Sequence, residues 1–323
     1  MSLQKIVSYV DLGNSSRKGV RLTAAIAENH GASVEIVLTG AKMPLYSTSI
    51  GGEPAFVPPG LVMKVLAATQ EAIDMRLAEA VGVLESETLD GRVTTHRLQD
   101  HQVDALIEHA RASAADLIVM SCESMGLFDR IFHRSFAEKL ARSSSCPVIV
   151  IAGDIDVSPK LRKILVATDY SECSRHAAFA ARNIVGEEGV MTFHHVIPWS
   201  VLERSGVSLE TEEAKLEKWV RELHFMDVET GSCVSAGSPD SEIARVADET
   251  EADIVVVGSR PHEDWSEKLF GTVTDRLIEI CKRPVLAVPR LAVVAQPMSK
   301  LDNTLTQSFP ASDPAASWAG PPN

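Results

Sequence analysis

Residues 257–274 read VGSRPHEDWSEKLFGTVT and have the outline of a loop that closes over phosphate. Gly258 ends an apolar, strand-like run, and Gly271-Thr272 opens a helix-like one. The first turn of a helix leaves backbone N–H groups unpaired, so such a junction can meet an anion at close range. Pro261 interrupts the pattern, because proline fixes φ and has no N–H to donate. One hydrogen bond to a charged group is worth about 1.5–3 kcal/mol, so its loss weakens phosphate binding roughly ten- to a hundredfold. Nearby charge does not restore it: Arg260 and Lys268 favour an anion, while Glu263, Asp264 and Glu267 oppose one. At about 8 Å and an effective dielectric near 20, each such pair contributes about 2 kcal/mol of either sign.

Other chemistry-bearing residues carry less. His194 and His195 are neighbours in the strand-like run VMTFHHVI, so their side chains point to opposite faces, which suits packing better than a shared metal ion. Cys173 stands near the start of a helix-like segment, where a thiol pKa can fall, but a small helix residue is the simpler reading. The five cysteines are widely spaced with no C-x-x-C pair, which argues for reduced thiols and against zinc or disulfide exchange. No Walker-type G-x-x-x-x-G-K and no carboxylate cluster suited to Mg2+ accompanies the loop. A phosphorylatable receiver needs several acids around one Asp, and only Asp11 or Asp169 stands at the corresponding strand ends. We therefore expect neither catalytic residues nor a metal site.

The elements that must position the loop occur twice. KIVSYVDLGNSSR at 5–17 aligns with KILVATDYSECSR at 163–175, placing Asp11 over Asp169 at a spacing of 158. Residues 115–152 align without a gap on 252–289 at a spacing of 137, so the first copy carries 21 more residues. They belong around AKMPLYSTSIGGEPAFVPPG at 41–60, a Gly/Pro-rich stretch that reads as a long surface loop. Each copy alternates short apolar runs with helical patterns. In the second, Ala177, Ala178, Ala181 and Ile184 share one helical face that stops at Gly186, and Ser238-Pro239 reads as N-cap and first helical residue. Five strands per copy, two of them nearly all Val and Ile, predict an α/β fold: two tandem doubly wound domains, each a five-stranded parallel sheet with helices on both faces. The expected boundaries are 1–152 and 161–290, followed by a Pro/Ser/Ala-rich disordered tail at 291–323.

Composition narrows the class. At 323 residues, 45% hydrophobic and 23% charged, the chain can bury two cores, and a net charge of −13 without a basic block argues against nucleic acid or an anionic membrane as partner. No apolar run approaches the roughly 18 residues of a membrane span, and MSLQKIVSYVDLG lacks the basic and apolar regions of a secretory leader. A soluble, cytoplasmic protein is expected.

With ILVATDYSE, HHVIPW after the second strand, the Gly-x-x-Gly-x9-Gly-Ser/Thr spacing and a terminal RPVLAV strand in that order, and with the unit duplicated, the sequence resembles the universal stress protein family in its tandem two-domain form. The resemblance covers roughly residues 3–152 and 161–290 and implies adenine-nucleotide (ATP) binding. It assigns the base to Asp169 and to backbone groups at Val196. It puts Gly258 beside the ribose, followed by Ser259 and Arg260, and the phosphates at Gly271 and Thr272, with Val273 and Thr274 next on the helix N-terminus. Pro261 replaces the family's second glycine. In the first copy Ser121, Ser124 and Arg134 occupy the three glycine positions, leaving only Ser135 of the phosphate-facing end. The resemblance further implies that the halves pair through their final strands, PVIVI and PVLAV, as a built-in pseudo-dimer, and leaves a homodimer open. The expected function is a non-catalytic stress-response or regulatory module whose second domain binds nucleotide weakly; the alternative is an ATP-hydrolysing or nucleotidyl-transferring enzyme on a related fold.

Overall fold

A computed structural model describes residues 3–10, 16–39, 47–48, 54–55, 59–86, 89, 91–98, 103–122, 136–153, 155, 157–186, 188–205, 208–259 and 273–289. The 291–323 segment, and with it the expected tail, lies outside the described residues.

The first half runs β1 (Lys5–Val10), α1 (Ser16–His30), β2 (Ser33–Thr39), a short antiparallel pair β3 (Ser47–Thr48) and β4 (Pro54–Ala55), α2 (Pro59–Ser86), β5 (Val93–Leu98), α3 (Val103–Ala112), β6 (Leu117–Cys122), α4 (136–143) and β7 (Val148–Ala152). The second half follows with β8 (Lys163–Ala167), α5 (Glu172–Ile184), β9 (Val190–Ile197), α6 (Trp199–Ser205), α7 (Leu209–Glu222), β10 (Glu229–Ala236), α8 (Pro239–Glu249), β11 (Ile254–Ser259), α9 (Val273–Ile280) and β12 (Val285–Pro289). The 41–60 stretch is thus not loop throughout: it includes the β3–β4 pair, and α2 starts within it at Pro59.

Strand order is β10-β9-β8-β11-β12-β7-β6-β1-β2-β5. All neighbours are parallel except β12 and β7, which pair antiparallel with Leu286 opposite Ile149. Each half is therefore a five-stranded parallel sheet wound outward from its first strand, as the duplicated pattern predicts, and the final strands join the two into one ten-stranded sheet, as the family resemblance implies. Helices cover both faces, and each face carries one hydrophobic cluster that runs from the first half into the second. β7 and β12 are buried on both sides, which fits the Val, Ile, Leu and Ala that fill β7 and fill β12 up to its last residue, Pro289. Across the joint the Arg142 guanidinium on α4 embraces the Asp275 carboxylate on α9, Nε donating to Oδ1 at 3.2 Å and Nη2 to Oδ2.

The duplication persists in detail. Asp116 Oδ2 accepts from the N–H groups of Gln4 (2.7 Å) and Lys5 (3.0 Å), and Asp253 Oδ2 accepts from Arg162 and Lys163, both at 2.8 Å. In both halves a carboxylate before the fourth long strand clamps the start of the first. Helix α5 buries Cys173, Ser174, Ala177, Ala178, Ala181 and Ile184, the face its spacing predicts, and Ser171 caps it by accepting from Ser174 N. Ser238 stands at the N-cap of α8 ahead of Pro239, though without a side-chain capping bond. Among the described residues no helix is long and apolar enough to cross a membrane.

Candidate functional site

In a doubly wound sheet the crossover helices leave to opposite sides of the strand that was laid down first, and a crevice opens beyond the carboxyl ends at that switch point. In the second half the switch lies at β8, which pairs with β9 on one side and β11 on the other. The fold therefore brings Asp169 after β8, Val196 near the end of β9, and Gly258 and Ser259 at the end of β11 to one edge of the sheet. Helix α9 returns from that edge, beginning at Val273 and Thr274. Arg260, Gly271 and Thr272, together with Pro261, lie outside the described residues, as do Asp11, Ser124, Arg134 and Ser135 in the first half.

Local hydrogen bonding shapes the Asp169 corner. The Asp169 side chain is exposed, and its Oδ1 accepts from Ser171 N at 3.0 Å, tightening the turn into α5. Thr168 Oγ1 accepts from Tyr170 N at 3.0 Å and bonds Ser174 Oγ, also at 3.0 Å. Tyr170 between them takes the left-handed conformation (φ 63°), which is costly for a bulky side chain and persists only where surroundings enforce it. Those surroundings are explicit: its ring packs on His195 at 4.4 Å, its hydroxyl donates to Glu212 Oε2 at 3.1 Å, and the Lys215 ammonium sits 4.3 Å over its face. Burial, with Glu212 alongside, pushes the Tyr170 phenol well above its ordinary range. Nothing in the sequence singled out this tyrosine, because its partners come from β9 and α7.

Val196 is placed by strand alternation. His194 O accepts from Thr168 N on the β8 side, whereas Ile197 O accepts from Gly237 N on the β10 side. Residues two apart in a strand point their backbone groups the same way. The Val196 N–H and C=O therefore face the β8 side, past the point where β8 has turned away at Asp169.

Gly258 is explained by packing. A Cβ there would stand 2.6 Å from the carbonyl carbon and oxygen of Cys173 and 2.9 Å from Ser174 N, so the missing side chain lets the first turn of α5 sit against the end of β11. The first half solves the same contact in reverse. Ser121 occupies the place of Gly258, and the glycine has moved to the helix as Gly19, where a Cβ would overlap Ser121 Oγ. The Ser121 hydroxyl is buried without a hydrogen-bond partner among the described residues. Ser259 and Thr274 are both buried, while Val273 is 38% exposed, so Val273 and Thr274 reach the crevice side through backbone groups more readily than through the Thr274 hydroxyl.

The two histidines lead separate lives. His194 is buried and bonds Ser235 Oγ through Nε2 at 2.9 Å, and burial pulls it down to about 4. His195 bonds Thr168 O through Nδ1 at 2.8 Å, with Nε2 3.9 Å from Glu212. They face opposite ways, as expected for neighbours in a strand. Cys173 is a buried packing residue of α5. Burial raises the Cys146 and Cys233 thiols to about 11, so neither is a ready nucleophile.

The chain can now be set beside known proteins. The universal stress protein family model matches twice, over residues 2–152 and 160–289. A universal stress protein of Methanocaldococcus jannaschii is 28% identical over 161 residues, 42% of this chain and 98% of its own length. One from Mycobacterium tuberculosis is 23% identical over 294 residues, 87% of this chain and 95% of its own. The crystal structure of a universal stress protein from Archaeoglobus fulgidus superposes with a TM-score of 0.64 at 16% identity, covering 88% of this chain and 98% of the other. With both sheets, both switch points and both matched segments in place, the chain belongs to the universal stress protein family and carries the family unit twice.

Proposed function

We propose that this protein is a non-catalytic stress-response regulator whose second half, residues 161–290, takes an adenine nucleotide weakly, ATP being the reference ligand. The first half, residues 1–152, serves as its pseudo-dimeric scaffold. The base lies against Asp169 and the Val196 backbone, the ribose beside Gly258 and Ser259, and the phosphates toward Arg260, Gly271, Thr272 and the start of α9 at Val273 and Thr274. The ligand acts as an effector, stabilising the crevice edge that β8, β9 and β11 share.

The observation that carries this reading is the asymmetry of the two switch points. Both halves wind the same way, yet only the second keeps a glycine at the end of its fourth long strand; the first has Ser121 there. Pro261 removes one N–H from the phosphate loop, so affinity in the roughly millimolar range is expected. Calorimetric titration of ATP into wild type, Pro261→Gly and Asp169→Ala tests it. Affinity should rise roughly ten- to a hundredfold in Pro261→Gly and fall in Asp169→Ala. Tight binding by wild type that is indifferent to both substitutions would refute the assignment. Phosphate release above background that disappears in Asp169→Ala would favour an ATP-hydrolysing enzyme instead.

A further inference from the structure

Three side chains from three elements of the first half converge at its outer edge. Glu35 on β2, His96 on the edge strand β5 and His109 in the last turn of α3 bring one ligand atom each to within 4.8 Å of one another. The sheet register makes this possible. Val37 stands opposite His96, so Glu35, two residues earlier, lies on the same face, and α3 packs over that face and lowers His109 onto it. The imidazoles of His96 and His109 stack with centroids 4.0 Å apart. His109 Nε2 lies 3.2 Å from Glu35 Oε1, yet the two are not aligned as a hydrogen bond, and this buried nitrogen has no other hydrogen-bond partner among the described residues. Glu35 itself is 8% exposed, and Lys5 Nζ holds its other oxygen at 2.7 Å.

The fold does not require this trio. The second half has the same register, with Lys163 opposite Val190 as Lys5 is opposite Ser33, and His194 opposite Cys233 as Val37 is opposite His96. Its equivalents of Glu35, His96 and His109 are therefore Thr192, Cys233 and Val246, the latter two packed in or against the apolar core. One half fills the space with ordinary packing; the other places two imidazoles and a carboxylate there.

We propose that Glu35, His96 and His109 form a divalent transition-metal site, with zinc as the reference ion. Two imidazoles and one carboxylate are a zinc-type donor set, and three protein ligands leave a fourth position for water. Tetrahedral bonds of 2.0–2.1 Å separate neighbouring ligand atoms by about 3.3 Å, close to the existing Nε2–Oε1 distance of 3.2 Å, so the edge histidine, within 4.8 Å of both partners, has at most about 1.5 Å to close. Lys5 opposes the ion. It competes for the carboxylate and adds a like charge, but its side chain is 29% exposed and can swing to solvent. The site is thus an exchangeable one, whose occupancy couples the outer edge of the first half to available metal.

The test is zinc titration of the full-length, tag-free, chelator-stripped protein in competition with a chromophoric chelator. One equivalent should bind, and His96→Ala and Glu35→Gln should each weaken it on the order of a hundredfold or more. Lys5→Met should tighten it about tenfold or more, because a competing cation has gone. A purely structural role for the trio would give no such tightening. Circular dichroism of His96→Ala, whose residue lies on an edge strand, checks that the variant is folded. Absence of stoichiometric binding, binding that survives His96→Ala, or weakening in Lys5→Met would each overturn the proposal. Nucleotide binding in the second half is measured separately, so neither result decides the other.

Discussion

Replacing Gly258 with alanine isolates the contact on which the geometry of the second crevice depends. The new Cβ would meet the Cys173 carbonyl at 2.6 Å and Ser174 N at 2.9 Å, about 1 Å inside ordinary van der Waals separation. All three atoms are backbone in the first turn of α5, so no side chain can rotate away; the helix must move, taking the Asp169–Ser171 turn with it. Overpacking of this kind costs about 1–3 kcal/mol, offset by up to about 1 kcal/mol because alanine replaces glycine in an extended segment. A net loss of about 1–2 kcal/mol follows, with ATP affinity reduced in parallel. Gly19→Ala, the mirror experiment, should differ sharply. Its new methyl meets the tip of the Ser121 side chain, which can turn aside, and alanine inside a helix gains about 1 kcal/mol over glycine. Gly19→Ala should therefore be near neutral alone and stabilising by about 1 kcal/mol in a Ser121→Gly background, which recreates the arrangement of the second half. Urea denaturation followed by circular dichroism measures wild type, the three single variants and the double variant. A neutral Gly258→Ala, or a Gly19→Ala that costs as much as Gly258→Ala, would refute the reasoning.

Acid should destabilise the second half through His194. Burial holds this imidazole down to about 4, below its unfolded value near 6.5, so the unfolded chain binds the extra proton between those limits. Stability is full above about pH 6.5 and falls by about 3 kcal/mol as pH drops to 4; His30 and His176, lowered by burial as well, contribute with the same sign. The difference between wild type and His194→Gln in denaturation at pH 7 and pH 4.5 extracts the His194 share, and a difference that does not change with pH would contradict it. Removing the Arg142 guanidinium from the nearly inaccessible Asp275 should cost about 2 kcal/mol. That is less than for a fully desolvated pair, because 40% of the Arg142 side chain is in solvent. Since the two cores continue across the joint, wild type should unfold in one calorimetric transition; two separated transitions would show that the halves are independent.

Much of the architecture could be read from the chain because the sheet is parallel and duplicated. Apolar runs such as KILVA and VLAVP have few alternatives to a strand buried on both faces, and two spacings of repeat locate equivalent strands. The outer strands were harder. β10 opens on the exposed Glu229 and Thr230 and has no fully buried residue, and an edge strand covered only in part carries little hydrophobic signal. Helix α6 carries no periodic signal in the sequence, being only seven residues long with Trp199 58% and Val201 45% exposed, so it has no apolar face to recognise. At the site, the strand ends named from sequence do share one edge. What could not be read were contacts between distant segments: Gly258 against Cys173, Tyr170 against Glu212, and Glu35 against His96 and His109. None of these has a spacing rule, since register and helix placement, set by the whole core, bring them together.

The most direct test of the central claim is photolabelling of the full-length protein with 8-azido-ATP, followed by peptide mapping and competition with ATP. The account predicts ATP-protected label confined to peptides of the second half, near Asp169 or Val196, with more label in Pro261→Gly. Protected label on the first half, around Ser121, or equal labelling of both halves would contradict it.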